Sequence, residues 1–227
     1  MTYDAILFDV DGVLLDLHAD HPSVYRQAVA TTFDEFGVSP GDADLDAFVS
    51  GATVEEMRRT CSEHGVEFET FWPRRETNAS DLQCEMMDDG ERLPYGDCAV
   101  LHELVDEHDM GVVSSNQHAT VEYMLARFDL EHLFDAVYGR EPTVEGFRRT
   151  KPDTHYVERA MADLGVAEGL YVGDSACDVS AARRAGLDSA FVRRPHREDY
   201  ALPEEPTYEI SSLVALLDLP GVAPSSS

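Results

Sequence analysis

Lysine is nearly missing from this chain. Of 227 residues one is lysine, Lys151, and the other cationic positions are arginine. A single ammonium kept in such a composition points to a place where a planar guanidinium fork would not serve, a compact charge holding a phosphate or carboxylate oxygen. Read alone, Lys151 is an ordinary surface lysine; its place in Thr-Lys-Pro-Asp, ahead of Gly-Asp-Ser-Ala-Cys-Asp, singles it out. Positive charge of any kind is scarce: 45 Asp and Glu stand against 17 Lys and Arg, a net charge of -28. No basic stripe offsets repulsion from phosphates, which excludes nonspecific nucleic-acid binding and attachment to anionic membranes. Self-repulsion of this size is best tolerated where salt screens it, so the composition points to a halophilic protein working in concentrated salt. The same charge disfavours a large dry interface and leaves a monomer or a weak homodimer as the expectation.

Cysteine is sparse as well. Cys61, Cys84, Cys98 and Cys177 form no CxxC pair and share no metal-like spacing with histidine, so reduced thiols are expected. The nine histidines show no HExxH pattern. The start, MTYDAILFDVDG, has no basic region followed by a long apolar run, and no stretch is long enough to span a bilayer, so a cytoplasmic setting is expected.

What is present is an alternation. Short apolar runs at Tyr3 to Phe8, Met110 to Val113, Ala136 to Tyr138, Leu170 to Gly173 and Ser189 to Val192 read as strands. Amphipathic helices over Cys98 to Glu107, Ala119 to Phe128, Thr154 to Leu164 and Cys177 to Ala185 lie among them. This pattern predicts an α/β fold, a parallel sheet covered on both faces with ligands at the carboxyl ends of its strands. The stretch from Leu17 to Arg92 breaks the pattern with helical segments only, Pro22 to Phe36, Leu45 to Val49, Val54 to His64 and Glu67 to Met87. It reads as a small all-helical cap domain, residues 17–92, inserted after the first strand into a core of residues 1–16 and 93–227. Hinges are expected near Asp16 to Asp20 and Asp89 to Tyr95, and the tail Pro224 to Ser227 is expected to fray.

Each polar motif falls at a strand end. Asp9 and Asp11, followed by Gly12, place two carboxylates near one point, because Gly12 permits a turn there. One can act as nucleophile and the other as proton donor and acceptor, provided a divalent cation offsets the clustered charge. Asp174 and Asp178 follow the strand LYVG, with Ser175 placed to cap the next helix. Carboxylates from two strand ends suit magnesium. Ser114, at the end of the strand GVVS, offers a hydroxyl and helix-start amides to an anion, and Ser115 beside it leaves open which hydroxyl makes the contact.

Taken together, DVDGVLLD from Asp9, VVSSN around Ser114, TKPDTHYV around Lys151 and GDSACDVSAARRAG from Gly173 resemble the four motifs of the haloacid dehalogenase-like hydrolase superfamily. The helical insertion resembles the cap of the subgroup that includes phosphoglycolate phosphatases and β-phosphoglucomutases. The resemblance implies a Rossmann-like core of strand order 5-4-1-2-3 and a magnesium-dependent phosphatase acting on a small phosphorylated metabolite, phosphoglycolate among the options. It implies Asp9 as the nucleophile that becomes an aspartyl-phosphate, Asp11 as acid and base, and Ser114, Ser115 and Lys151 as phosphate ligands. It places Mg2+ on the Asp9 carboxylate, the Asp11 backbone carbonyl and Asp174, with Asp178 supporting the metal or Lys151. Asp11 counts against dehalogenation, which needs no leaving-group proton, and a cap without lysine counts against phosphonoacetaldehyde hydrolysis. A β-phosphoglucomutase-like mutase, disfavoured by Gly173 where mutases tend to carry Glu, and a catalytically idle binding module are the alternatives. Arg58, Arg59, Arg74 and Arg75 are candidate contacts for a second substrate anion, at most one of them touching it. Asn116, Gln117 and His118 are placed to face the cap.

Overall fold

A computed structural model of the chain describes residues 2–17, 21–49 and 53–222. Six strands form one sheet: β1 (Ala5–Phe8), β2 (Asp109–Gln117), β3 (Ala136–Arg140), β4 (Gly169–Gly173), β5 (Asp188–Val192) and β6 (Tyr208–Ile210). Their order is β3-β2-β1-β4-β5-β6, every neighbouring pair parallel. Read from the other edge, this is the 5-4-1-2-3 arrangement with β6 added beside β5. β6 escapes a search for apolar runs because its three residues include only one that is buried, Ile210.

All four β1 residues are wholly buried, which is why Ala-Ile-Leu-Phe is continuously apolar and does not alternate. Ile6 and Phe8 pack into one apolar cluster with Val112 and Leu170, and Leu7 points the other way, among Val113, Tyr156 and Tyr171. Between β1 and β2 come α1 (His21–Glu35), α2 (Asp42–Asp46), α3 (Val54–Glu63), α4 (Phe68–Asp88) and the short α5 (Leu101–Leu104). After β2 come α6 (His118–Arg127), α7 (Val144–Arg148), α8 (His155–Leu164) and α9 (Ala176–Arg184). None of these helices is long and apolar enough to cross a membrane.

Helices α1 to α4 bury an apolar cluster of their own around Phe33, Phe48, Phe71 and Trp72, with the Phe33 and Phe71 ring centroids 4.5 Å apart. Phe147 of α7 meets Trp72 edge-on at 5.3 Å, a contact between this helical stretch and the chain after the sheet's third strand. The two connections into the helical stretch run antiparallel: Asp16 N–H donates to Leu93 O at 2.9 Å and Tyr95 N–H to Leu14 O at 3.0 Å. Residues 18–20 of the first connection and the tail Pro224 to Ser227 lie outside the described residues.

Two helices differ from expectation. Leu45 to Val49 reads as helical, but the helix is Asp42–Asp46, where Asp42 and Asp44 sit in the first turn and favour its positive end. The stretch Cys98 to Glu107 is not one helix: a 3-10 turn over Gly96–Val100, opened by the weakly helical Gly96, precedes α5.

Candidate active site

β1 lies between β2 and β4, so the motifs that follow these strands come together at one edge of the sheet. Asp9 stays in register, its N–H donating to Val172 O at 2.9 Å, and its side chain is buried. The chain then coils: the N–H groups of Val13, Leu14 and Leu15 approach Val10 O at 3.2, 2.9 and 2.9 Å. Gly12 has φ +81°, and a Cβ there would stand 2.4 Å from Asp174 Oδ2, so glycine is required both for the turn and for the neighbour it admits.

Lys151 lies in the turn between α7 and α8 with its side chain 5 % exposed. Its Nζ is 2.8 Å from Asp9 Oδ1 and 2.6 Å from Asp178 Oδ1, and it donates to Tyr171 Oη at 2.8 Å and Val113 O at 3.3 Å. The two carboxylate contacts are ion pairs by distance without hydrogen-bond geometry. Burial alone would push the ammonium down, but the Asp178 and Asp9 carboxylates outweigh it and hold Lys151 well above its ordinary value. One cation between two buried carboxylates leaves one negative charge over. That excess falls on Asp9: burial pushes its carboxyl up to about 8, with Lys151 opposing and Asp178, Asp11 and Asp174 adding to the rise. Tyr171, also raised by burial first, stays a neutral phenol and donates to Val113 O at 2.6 Å.

Ser175 caps α9, and Asp178 returns the bond: its Oδ2 accepts from Ser175 N–H at 2.9 Å, Ser175 Oγ at 2.7 Å and Asp174 N–H at 3.2 Å. Both oxygens of Asp178 are thus engaged by the chain itself. Asp9, Asp174 and Asp178 each bring one carboxylate oxygen to within 4.8 Å of the others, a hard-oxygen set of the kind magnesium takes. Asp174 Oδ2 meets His196 Nε2 at 2.7 Å and accepts from Arg197 Nε at 3.0 Å.

Asp11 is held in a closed ring of side chains. Its Oδ1 pairs with Arg92, and its Oδ2 accepts from Asn116 Nδ2 at 2.9 Å. Gln83 of α4 completes the ring, its Oε1 accepting from Arg92 at 3.0 Å and from Asn116 at 2.8 Å. Gln83 Nε2 also donates to Asn116 Oδ1 and Gln117 Oε1, both at 3.1 Å. Arg92, Gln83 and Asn116 are all buried. Asn116 and Gln117 do face the inserted helices; His118 does not, for its Nδ1 accepts from Gly139 N–H of β3 at 3.1 Å. Gln83 and Arg92 were beyond sequence reasoning, since no local pattern marks a glutamine inside a helix or an arginine in a connection as partners of a distant carboxylate.

Ser114 is buried, but it is not at a helix start. β2 runs on to Gln117 through an irregularity in its pairing with β3 after Val113, and α6 begins four residues beyond Ser114. The helix-start amides are therefore not its companions; Ser114 Oγ accepts from Asn116 N–H at 3.1 Å. Ser114 and Ser115 line the same cavity of about 380 Å³ as Asp9, Asp11, Lys151, Asp174 and Asp178, so the structure gathers every one of these side chains. Of the four arginines, Arg58, Arg59 and Arg74 are paired at the surface with Glu69, Glu63 and Glu35, and Arg75 is buried.

Known proteins show the same arrangement of chain. A pyrophosphatase PpaX from Halalkalibacterium halodurans is 24% identical over 226 residues, covering 98% of this chain and 99% of the relative. A phosphoglycolate phosphatase from Cereibacter sphaeroides is 24% identical over 200 residues, 85% of this chain and 86% of that one. Among solved structures, a Lactobacillus plantarum protein superimposes with a TM-score of 0.64 at 20% identity, covering 96% of this chain and 99% of its own. The HAD-hydrolase YfnB of Bacillus subtilis, solved bound to magnesium, gives 0.59 at 19% identity, covering 96% and 98%. The family model described as haloacid dehalogenase-like hydrolase matches residues 6–192. Because that match runs from the first strand through the fifth and takes in Asp9, Ser114, Lys151 and Asp178 alike, the chain belongs to the haloacid dehalogenase-like hydrolases.

Proposed function

We propose that this protein is a magnesium-dependent phosphatase that hydrolyses a small phosphate monoester through an aspartyl-phosphate on Asp9. The observation that carries the reading is Asp9 at a strand end, beside Lys151 and Asp178 and facing a cavity that Asp11 and Asp174 also line. Phosphoryl transfer asks little covalent chemistry of a protein; it asks for an in-line nucleophile and for charge against the equatorial oxygens. Asp9 attacks phosphorus as the bond to the leaving oxygen breaks, and Asp11 gives that oxygen its proton. Asp11 then takes a proton from water, which attacks phosphorus and releases phosphate and Asp9. Lys151 and the hydroxyls of Ser114 and Ser115 hold the phosphoryl oxygens. The Asp9 and Asp174 carboxylates, with the Asp11 carbonyl, would hold magnesium, and Asp178 orients Lys151 and the turn that carries Asp174. When bound, magnesium supplies positive charge to the phosphoryl group and to a nucleophile that burial otherwise keeps protonated up to about pH 8.

The ring around Asp11 bears on its role through position: Arg92 at one oxygen and Asn116 at the other hold the carboxylate in place, which suits it to take a proton from water. Residues 17–92 act as a cap over the core of 1–16 and 93–227, excluding water as they close. A phosphatase is favoured over a mutase by Gly173: a Cβ there would lie 2.3 Å from Asp178 Cβ, so a glutamate at this position does not fit Asp178 where it stands. Phosphoglycolate is the first substrate to try, and the four free thiols suit a reducing cytoplasm. The test is hydrolysis of p-nitrophenyl phosphate in concentrated potassium chloride, with and without magnesium. Magnesium-dependent release that vanishes in Asp9→Asn is expected; release that persists in the variant removes Asp9 as nucleophile.

A further inference from the structure

Next to the reaction centre is a second cavity of about 240 Å³, which shares Tyr25, Ser115 and Thr150 with the first. Its other walls are apolar except for Arg75 and Arg140. Both arginines are buried, 5% and 3% exposed, and both pair with one carboxylate, Glu76, Arg75 at Oε1 and Arg140 at Oε2. A guanidinium stays protonated at any working pH, so two cations share one anion and a positive charge is left over. The excess lies toward Arg75. Arg140 also donates its Nε to Ser115 O at 3.0 Å, whereas Arg75 Nε has no acceptor among the described residues. The Arg75 guanidinium instead lies over the rings of Tyr25 and Trp72, 5.2 and 5.4 Å from their centroids. A buried charge that shares its counter-ion with a second cation is costly to keep, and one that borders a cavity adjoining a phosphoryl site is placed to receive an anion.

We propose that Arg75 is a specificity residue and that the substrate's leaving group carries a second anionic group, a carboxylate or a phosphate, seated in this cavity against Arg75. The proposal rests on the phosphatase reading. Phosphate esters of short hydroxy acids and inorganic pyrophosphate belong to the class; phosphate esters of neutral alcohols and sugars do not. On a chain of net charge -28 such a substrate gains nothing from the surface field, so its recognition falls to a local cation shielded from the surrounding acid.

The test compares phosphoglycolate, pyrophosphate and the neutral 2-hydroxyethyl phosphate in concentrated potassium chloride with magnesium, using the native chain, Arg75→Met and Arg75→Lys. Native kcat/KM for one of the anionic substrates should exceed that for the neutral ester by about a hundredfold, equivalent to ~3 kcal/mol, the scale of a buried charge pair. Which anionic substrate shows the preference tells carboxylate from phosphate. Arg75→Met leaves Glu76 and Arg140 as a neutral pair and should bring the ratio to within about threefold of unity. Arg75→Lys, which keeps the charge, should retain part of the preference and serves if the Met variant fails to fold. A native ratio near one, or a ratio that Arg75→Met and Arg75→Lys leave unchanged, overturns the proposal. If no ester is hydrolysed the phosphatase reading fails on its own, and calorimetry still decides this one: Arg75-dependent binding of phosphoglycolate over 2-hydroxyethyl phosphate upholds it, and equal binding refutes it.

Discussion

Replacing Asp9, the proposed nucleophile, should make the metal-free protein more stable, not less. Asp9 is buried, and its carboxyl stands at about 8 in the folded chain against an ordinary 3.8 when exposed to water. Below pH 3.8 both states hold the proton and Asp9 contributes nothing to the pH dependence. Between 3.8 and about 8 the folded chain holds a proton that the unfolded chain has released, so stability falls as pH rises through this window. At ~1.36 kcal/mol per pH unit the loss is about 4 kcal/mol by pH 7 and at most about 6 kcal/mol above pH 8. Asp9→Asn removes it: the amide carries no charge, and Lys151 keeps Asp178 as a one-to-one partner. The assay is urea unfolding in concentrated potassium chloride with a chelator, native against Asp9→Asn, from pH 4.5 to 8.5. Taking the difference between the two proteins cancels the remaining carboxylates. The variant should be the more stable, by a gap that widens with pH, and magnesium should narrow the gap by stabilising the native chain alone. A gap that stays flat with pH, or a native chain more stable than the variant at pH 8 in chelator, would refute the account of a buried, uncompensated carboxylate.

Lys151→Arg keeps the charge but not the shape: four oxygens lie 2.6 to 3.3 Å from one Nζ, a space for a point charge and not for a planar fork. Its kcat/KM should fall by a hundredfold or more, on the order of what misplacement of a reacting group costs, and near-native turnover would sink the argument. Gln83→Leu strands the polar groups of Arg92 and Asn116 around Asp11 and should cost about 2–4 kcal/mol of stability together with a fall in kcat, read by denaturation and steady-state kinetics. A stable variant with unchanged kcat would show that the ring does not position Asp11. Raising potassium chloride from 0.1 to 2 M should lift the melting temperature by about 10 °C or more, as screening of the -28 charge shrinks from about 10 Å to a few Å; no shift would end the concentrated-salt reading.

The core fold was legible because it is written in local chemistry. Ala5 to Phe8 is unbroken apolar sequence because a central parallel strand is buried on both faces, and the helices that follow carry their spacing openly. Where burial is incomplete the signal fails, as at β6, whose Tyr208 and Glu209 stay in contact with solvent. The end of β2 escapes for a similar reason: Ser-Ser-Asn-Gln is polar and looks like a loop, yet Ser114, Asn116 and Gln117 are buried, Asn116 and Gln117 each accepting from the distant Gln83 and Ser114 Oγ accepting from Asn116 N–H.

The sequence by itself determined the parallel sheet, the helices between its first two strands, the acidic charge and a set of residues that line one cavity. Each of these rests on composition, on periodicity or on short motifs at strand ends, and a motif needs only its own neighbours to be recognised. Only the tertiary structure decided which arginine of four turns inward, that Glu76 is shared between Arg75 and Arg140, and that Gln83 and Arg92 close a ring on Asp11. Arg74 and Arg75 are adjacent in sequence, but successive residues of a helix point about 100° apart, so one reaches solvent and Glu35 while the other is buried against Glu76 and Tyr25. The balance of charge inside a protein depends on which side chains meet after folding, and those meetings, 64 residues apart for Glu76 and Arg140 and 81 for Asp11 and Arg92, leave no trace in the local sequence.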